Sequence, residues 1–183
     1  MPKKSNPLHQ FYEQEGLDLP SIEEIRSTRM PQPYKNLLVH DHDMTSTLSR
    51  FYQQPIRLRV LKSHLANQIF SREVVLVLYR NKKCVEFGAI RIYLKRFPPK
   101  ARKLIFQAEL PLGAILRKFA LPYISQPKAF IRVMPDTLIN KALELKKIQK
   151  LYGRLNTLLD SSGKTLAEIV EILTPNKKTK SLP

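Results

Sequence analysis

Side chains of this 183-residue chain that could do chemistry include Arg72, Arg91 and Glu171. Arg72 opens the apolar run Arg72-Glu73-Val74-Val75-Leu76, and a planar guanidinium there can grip a carboxylate through two parallel hydrogen bonds. Arg91, in Gly88-Ala89-Ile90-Arg91, is a second such group, with an ordinary solvated arginine on a strand's wet face as the alternative. Glu171 is a carboxylate, a group type able to orient a hydroxyl and help a proton move, with a salt-bridged surface acid as the alternative and Glu168 as its competitor in register. On a strand these two acids point to opposite faces, so only one of them can enter a given pocket.

His40-Asp41-His42-Asp43 has the residue types of a metal site. On an extended segment, however, alternate residues diverge, and His9 and His64 are the remaining histidines, so no metal is expected. The sequence also lacks a Walker A loop, a dinucleotide fingerprint and a Gly-x-Ser-x-Gly elbow. Cys84 is the single cysteine, which excludes an internal disulfide and a cysteine-based zinc site and reads as a buried, inert thiol.

Composition points elsewhere: 32 Lys and Arg against 15 Asp and Glu give a net charge of +17, which ordinarily puts nucleic acid first among partners. The excess is spread along the chain, without tryptophan, a Gly-rich loop or an aromatic-basic stacking pattern. A positive field attracts a small dianion equally well, and nucleic acid is not the expected partner. The longest apolar runs fall far short of the roughly 20 residues of a membrane helix, so no membrane span is expected. The N-terminal segment, with Glu13, Glu15, Asp18, Glu23 and Glu24, is too acidic for a typical transit peptide.

The elements that must position these groups can be read from pattern. Residues 1–33 are polar and punctuated by Pro20, Pro31 and Pro33, an N-terminal arm with one short helix predicted over 21–29 from Ser21 and Glu24 as a capping box. Asp43 caps a helix over 45–52. Alternating residues in 56–60 predict a strand with one wet face; 72–80 reads as a central strand that turns through Asn81-Lys82-Lys83 into a second over 84–94. Pro98-Pro99 opens a basic helix, Pro111 starts another, and 129–134 is a strand. Leu145, Ile148, Leu151, Tyr152, Leu155, Leu158 and Leu159 then share one helical stripe, and Thr165 with Glu168 would cap a second helix. Gly153 opposes that helix by about 1 kcal/mol.

A resemblance resolves the conflict. Asp43-Met44-Thr45, Ser71-Arg72-Glu73-Val74-Val75-Leu76, Pro111-Leu112-Gly113, and Leu151-Tyr152-Gly153-Arg154 running through Ser162-Gly163-Lys164 to Glu171-Ile172-Leu173-Thr174-Pro175 resemble, in order and spacing, the active-site skeleton of the chorismate pyruvate-lyase family. The match spans Leu37 to Pro175 and is most similar to the cyanobacterial and algal-plastid branch.

The resemblance implies a single α+β domain over 34–176, an antiparallel sheet with helices packed on one side, followed by a basic tail over 177–183. It demands a hairpin of 149–159 with 165–173 instead of two helices. It implies elimination of pyruvate from chorismate to leave 4-hydroxybenzoate, with no metal or organic cofactor because aromatisation drives the reaction. Arg72 would hold the ring carboxylate, Arg91 the enolpyruvyl carboxylate and Glu171 the ring hydroxyl, while Met44 and Leu112 would close over the ligand. The expected partner is thus a small anionic aromatic or cyclohexadienyl ligand, bound by a monomer, in the plastid stroma for an algal chain or the cytoplasm for a cyanobacterial one. A non-catalytic carboxylate binder on the same fold is the alternative, since regulator effector domains share it.

Overall fold

A computed structural model describes residues 6–175, so the tail expected over 177–183 lies outside the described residues. Its strands are β1 (Ser21–Ile25), β2 (Ile56–Ala66), β3 (Ile69–Leu78), β4 (Cys84–Tyr93), β5 (Ile124–Met134), β6 (Leu151–Leu159) and β7 (Thr165–Leu173). They form one sheet in the order β1-β5-β6-β7-β4-β3-β2, and every neighbouring pair is antiparallel. The helices are α1 (Pro7–Gln14), α2 (Tyr34–Leu38), α3 (Met44–Tyr52), α4 (Pro99–Gln107), α5 (Leu112–Lys118) and α6 (Thr137–Ala142). No described helix is long and apolar enough to cross a membrane.

Helices α2 to α5 cover one face of the sheet, giving the single α+β domain expected. Leu38 and Leu48 pack there against Leu76 and Leu173, while Ile105 and Leu116 pack against Ile92 and Ala167. The other face is covered as well, by α1 and α6, whose Leu8, Phe11 and Ile139 meet Val75, Phe87 and Ile172. With both faces dry, the central strands β3 and β4 are buried almost throughout and lose the alternation of a half-wet sheet. β2, at the edge, keeps it over Ile56 to Val60.

The final third folds as the hairpin that the resemblance demands. Leu155 pairs with Val170 and Arg154 with Glu171, and the turn is held by Asp160, whose Oδ1 accepts from the Ser162 and Lys164 amides at 2.8 and 2.9 Å. Gly163 takes φ +78°, the left-handed region that glycine enters freely. Gly153 is required for a different reason: a Cβ there would stand 2.2 Å from the carbonyl oxygen of Glu171.

The helix predicted over 21–29 does not form. Ser21–Ile25 instead pairs with β5 as an edge strand, with Glu23 opposite Arg132 and ion-paired to it, before a 3-10 turn over Ser27–Arg29. Ladder hydrogen bonds and a cross-strand charge pair outweigh a capping box worth about a kcal/mol. The segment read as an arm therefore contributes α1 to one core cluster and β1 to the sheet.

Candidate functional site

Antiparallel register sets three consecutive rows of side chains on the face beneath α2 to α5. The first carries Arg72, Ile90, Ile169 and Asn156; the second Val74, Gly88, Glu171 and Arg154; the third Leu76, Glu86, Leu173 and Tyr152. A cavity of about 60 Å³ opens over these rows, with Gly88 in its floor and Met44, Pro111 and Leu112 in its roof. On a scale where one water takes about 10 to 15 Å³, it has room for a single substituted ring. A side chain at Gly88 would intrude, its Cβ 3.1 Å from Val74 Cγ2 and 3.4 Å from Glu86 Oε1.

The roof is built from two helix starts. Asp43 caps α3 by accepting from the Ser46 amide at 2.9 Å, and receives Arg117 Nη1 at 2.7 Å. Burial alone would raise the Asp43 pKa, but the Ser46 hydrogen bonds and Arg117 outweigh it and hold the carboxyl below its usual range. Gly113 lets α5 close on this carboxylate, since a Cβ would lie 2.8 Å from Asp43 Oδ1. Met44 and Leu112, set by these two starts, are buried and line the cavity.

Arg72 is 1 % exposed. Nη2 donates to the Leu110 carbonyl at 3.3 Å, whereas Nε and Nη1 have no hydrogen-bond partner. Burial, uncompensated by any neighbouring acid, pulls this guanidinium down to about 10. An unpaired cation so enclosed is costly, and a carboxylate entering the cavity would satisfy it.

Glu171 lies one row on and is ion-paired to Arg154, itself completely buried. Arg154 Nη1 also donates to the Leu38 carbonyl at 3.2 Å and the His40 carbonyl at 2.8 Å, and Nη2 to the His42 carbonyl at 3.0 Å. The His40–Asp43 segment thus clamps this arginine through its backbone. His40 Nε2 sits 2.7 Å from the Leu37 carbonyl, and its pKa is lowered by burial and then by Arg154. Among the described residues no group of three or more His, Cys, Asp or Glu is placed to hold a metal ion.

Arg72, Glu171, Met44 and Leu112 therefore meet at one cavity; Arg91 does not. Register places Arg91 opposite Ser71 and Glu168, on the α1 face, where Nη1 binds Glu168 at 3.0 Å and Nε and Nη2 reach Gln10 Oε1 at 3.3 and 3.2 Å. The strand position one residue away, Ile90, is the one that faces Arg72. Glu168, the competitor of Glu171, is on that same far face.

Sequence reasoning passed over Arg154, Asn156 and Glu86. Arg154 stood inside a motif whose other members drew the attention, and Asn156 is held by Ser125 through contacts of 3.0 and 3.3 Å. Glu86 left a legible signal, as an acid in the otherwise apolar Cys84-Val85-Glu86-Phe87-Gly88-Ala89-Ile90. It is 4 % exposed, its Oε2 has no hydrogen-bond partner, and it lines the cavity. Burial, then the charge of Glu171, push its pKa well above the usual range against the pull of Arg154.

No family model matches this chain, and no curated protein does. Solved structures are similar to it. PhnF from Mycobacterium smegmatis aligns at TM-score 0.55 and 12% identity over 75% of this chain and 66% of that one. The PhnF effector domain alone gives 0.56 and 11% over 74% and 90%. The possible transcriptional regulator YydK from Bacillus subtilis gives 0.55 and 10% over 96% and 79%. The ligand-binding domain of a regulator assigned to the GntR family, from Bordetella bronchiseptica, gives 0.51 and 10% over 72% and 93%. The chain thus spans just under two thirds of full-length PhnF. At these identities the likeness establishes the fold alone, the chorismate lyase-like α+β architecture.

Proposed function

We propose that this protein binds a six-membered-ring carboxylate of the chorismate and 4-hydroxybenzoate class in the Arg72 cavity, and that it acts there as a chorismate pyruvate-lyase. One observation carries the reading: Arg72 is buried at the cavity with Nε and Nη1 unpartnered, two donors that a carboxylate would satisfy. The ring carboxylate sits on Arg72, and the opposite edge of the ring lies toward Glu171, whose carboxylate Arg154 holds in place.

In the elimination, the ether bond at ring C3 breaks with its electron pair going to the enolpyruvyl oxygen. The proton at C4 passes to Glu171, and the ring becomes aromatic. The released enolate takes up a proton and leaves as pyruvate. In the low dielectric of the cavity the Arg72 grip on a carboxylate is stronger than it would be in water.

A second reading, a carboxylate sensor without turnover, is favoured by a specific observation. Chorismate carries two carboxylates, while Arg154 is committed to Glu171 and Arg91 lies on the other face, leaving Arg72 as the guanidinium that the cavity offers. Purified protein incubated with chorismate and followed by chromatography separates the readings. Equal amounts of 4-hydroxybenzoate and pyruvate support the lyase. Calorimetric binding of 4-hydroxybenzoate without turnover supports the sensor, and neither binding nor turnover rejects both.

A further inference from the structure

Glu86 and Arg72 occupy the third and first rows of the same face, flanking the row of Gly88 and Glu171. Two rows are four residues along a strand, roughly 13 Å between backbones. Both line the cavity with Gly88 in its floor, and Glu86 Oε1 lies 3.4 Å from where a Cβ at that glycine would stand. Glu86 is also diagonal to Glu171 across the β4–β7 ladder, so the two acids are neighbours on the cavity face, with Glu86 two rows from Arg72.

These acids differ in circumstance. Glu171 is paired with Arg154, whose remaining donors go to the Leu38, His40 and His42 carbonyls. Glu86 has Oε2 enclosed and unpartnered, with the carboxylates of Glu171 and Asp43 near enough to oppose a second negative charge. An ionised carboxylate in that position is a buried, unsatisfied anion; a neutral carboxyl is a hydrogen-bond donor at the wall of the cavity. Glu171, as the carboxylate half of its ion pair with Arg154, acts as an acceptor. Together they form a donor beside an acceptor, the complement of a hydroxyl group.

We propose that Glu86 is a specificity-determining residue: its carboxyl carries a proton at neutral pH and donates a hydrogen bond to an oxygen on the ligand ring, para to the carboxylate held by Arg72. The inference rests on the ring-carboxylate reading and narrows it to ring acids with an acceptor oxygen at the far end. The raised pKa of Glu86, caused first by burial and then by Glu171, is in keeping with this geometry.

The test uses the full chain, with Glu86→Gln, which keeps a neutral donor, and Glu86→Leu, which removes it. Calorimetry compares 4-hydroxybenzoate, 4-methoxybenzoate, which accepts but cannot donate, and benzoate, which has no para oxygen. Glu86→Leu should weaken both oxygenated ligands by about tenfold or more and leave benzoate within about twofold, while Glu86→Gln stays within about threefold of the unmodified protein throughout. Equal loss for benzoate, or unchanged 4-hydroxybenzoate binding in Glu86→Leu, overturns the assignment.

Infrared difference spectra give a readout without ligand. The unmodified protein at pH 7 should show the carbonyl stretch of a protonated carboxylic acid that Glu86→Gln lacks, and its absence overturns the proposal whatever binds. If that band is present and none of the three benzoates binds, the ring-carboxylate reading itself fails, and the ligand assigned to Glu86 fails with it.

Discussion

Replacing Arg72 by methionine should make the empty protein more stable and the ligand complex much weaker. Methionine keeps most of the side-chain length and removes the charge. Burial lowers the Arg72 pKa from the usual arginine range to about 10. At about 1.4 kcal/mol per pH unit, a fall of that size means roughly 3 kcal/mol of unfavourable burial for the charged form at neutral pH. The variant forfeits the hydrogen bond to the Leu110 carbonyl, a contact of 3.3 Å, worth about 1 to 2 kcal/mol. The net expectation is a gain of about 1 to 2 kcal/mol, read by urea unfolding without ligand and as a rise of roughly 2 to 4 °C in Tm per kcal/mol. Calorimetry with 4-hydroxybenzoate should show the opposite sign. A buried carboxylate stripped of its guanidinium loses about 2 to 5 kcal/mol, some 30-fold to several-thousand-fold in Kd. A variant that unfolds more easily yet binds as before would refute the reasoning, because Arg72 would then be a strut for the Leu110 loop.

Arg91→Ala should leave 4-hydroxybenzoate affinity unchanged while lowering stability by about 1 kcal/mol, since it removes the partly buried link between β4, Glu168 and Gln10 of α1; calorimetry and urea unfolding of the same sample check both halves. Glu73 is 2 % exposed and its pKa is raised to about 7, by burial first, with Lys62 opposing and Glu15 and Asp136 adding to the rise. The folded state therefore holds this proton more tightly than the unfolded one, so its contribution falls as pH rises from about 4.5 through 7, by roughly 3 kcal/mol in total. Urea midpoints should accordingly favour Glu73→Gln over the unmodified protein at pH 8 and hardly at all at pH 4.5. Gly153→Ala places a Cβ 2.2 Å from the Glu171 carbonyl oxygen, and should destabilise by roughly 3 kcal/mol or more, visible as a collapse in soluble yield or in the urea midpoint.

The hairpin at the C-terminal end shows why pattern alone misreads part of this fold. β6 is buried at Leu151, Gly153, Arg154, Asn156 and Leu158, on both of its faces, because α1 and α6 close one side of the sheet and α2 to α5 the other. A strand so enclosed has no reason to alternate, and its leucines can fall on a helical stripe by accident. Local signals were decisive where the backbone answers locally: Asp43 caps α3, Pro99 opens α4 and Gly163 makes the turn. At Ser21 the local cap lost to pairing with β5, a partner more than a hundred residues away that no local pattern reveals.

The candidate site was legible by residue type and not by face. Arg72 and Arg91 both sit on strands of one hairpin, and a shift of one residue in their pairing would have put them together, since a single step turns every side chain to the opposite face of the sheet. What fixes the register here is a bulge between Leu76 and Val77, where the partner strand jumps from Glu86 to Cys84. With that bulge, Arg72 faces Ile90 and looks into the cavity, while Arg91 faces Ser71 and binds Glu168 beneath α1. The same register brings Glu86 into line with Gly88 and Ile90 on the cavity face, so a second acid stands diagonal to Glu171 where the sequence had offered a second arginine. This exchange changes the chemistry expected of the pocket. Two guanidiniums would have suited a dianion held at both ends; one guanidinium facing a carboxylate and an unpaired carboxyl suits a single carboxylate with an oxygen across the ring.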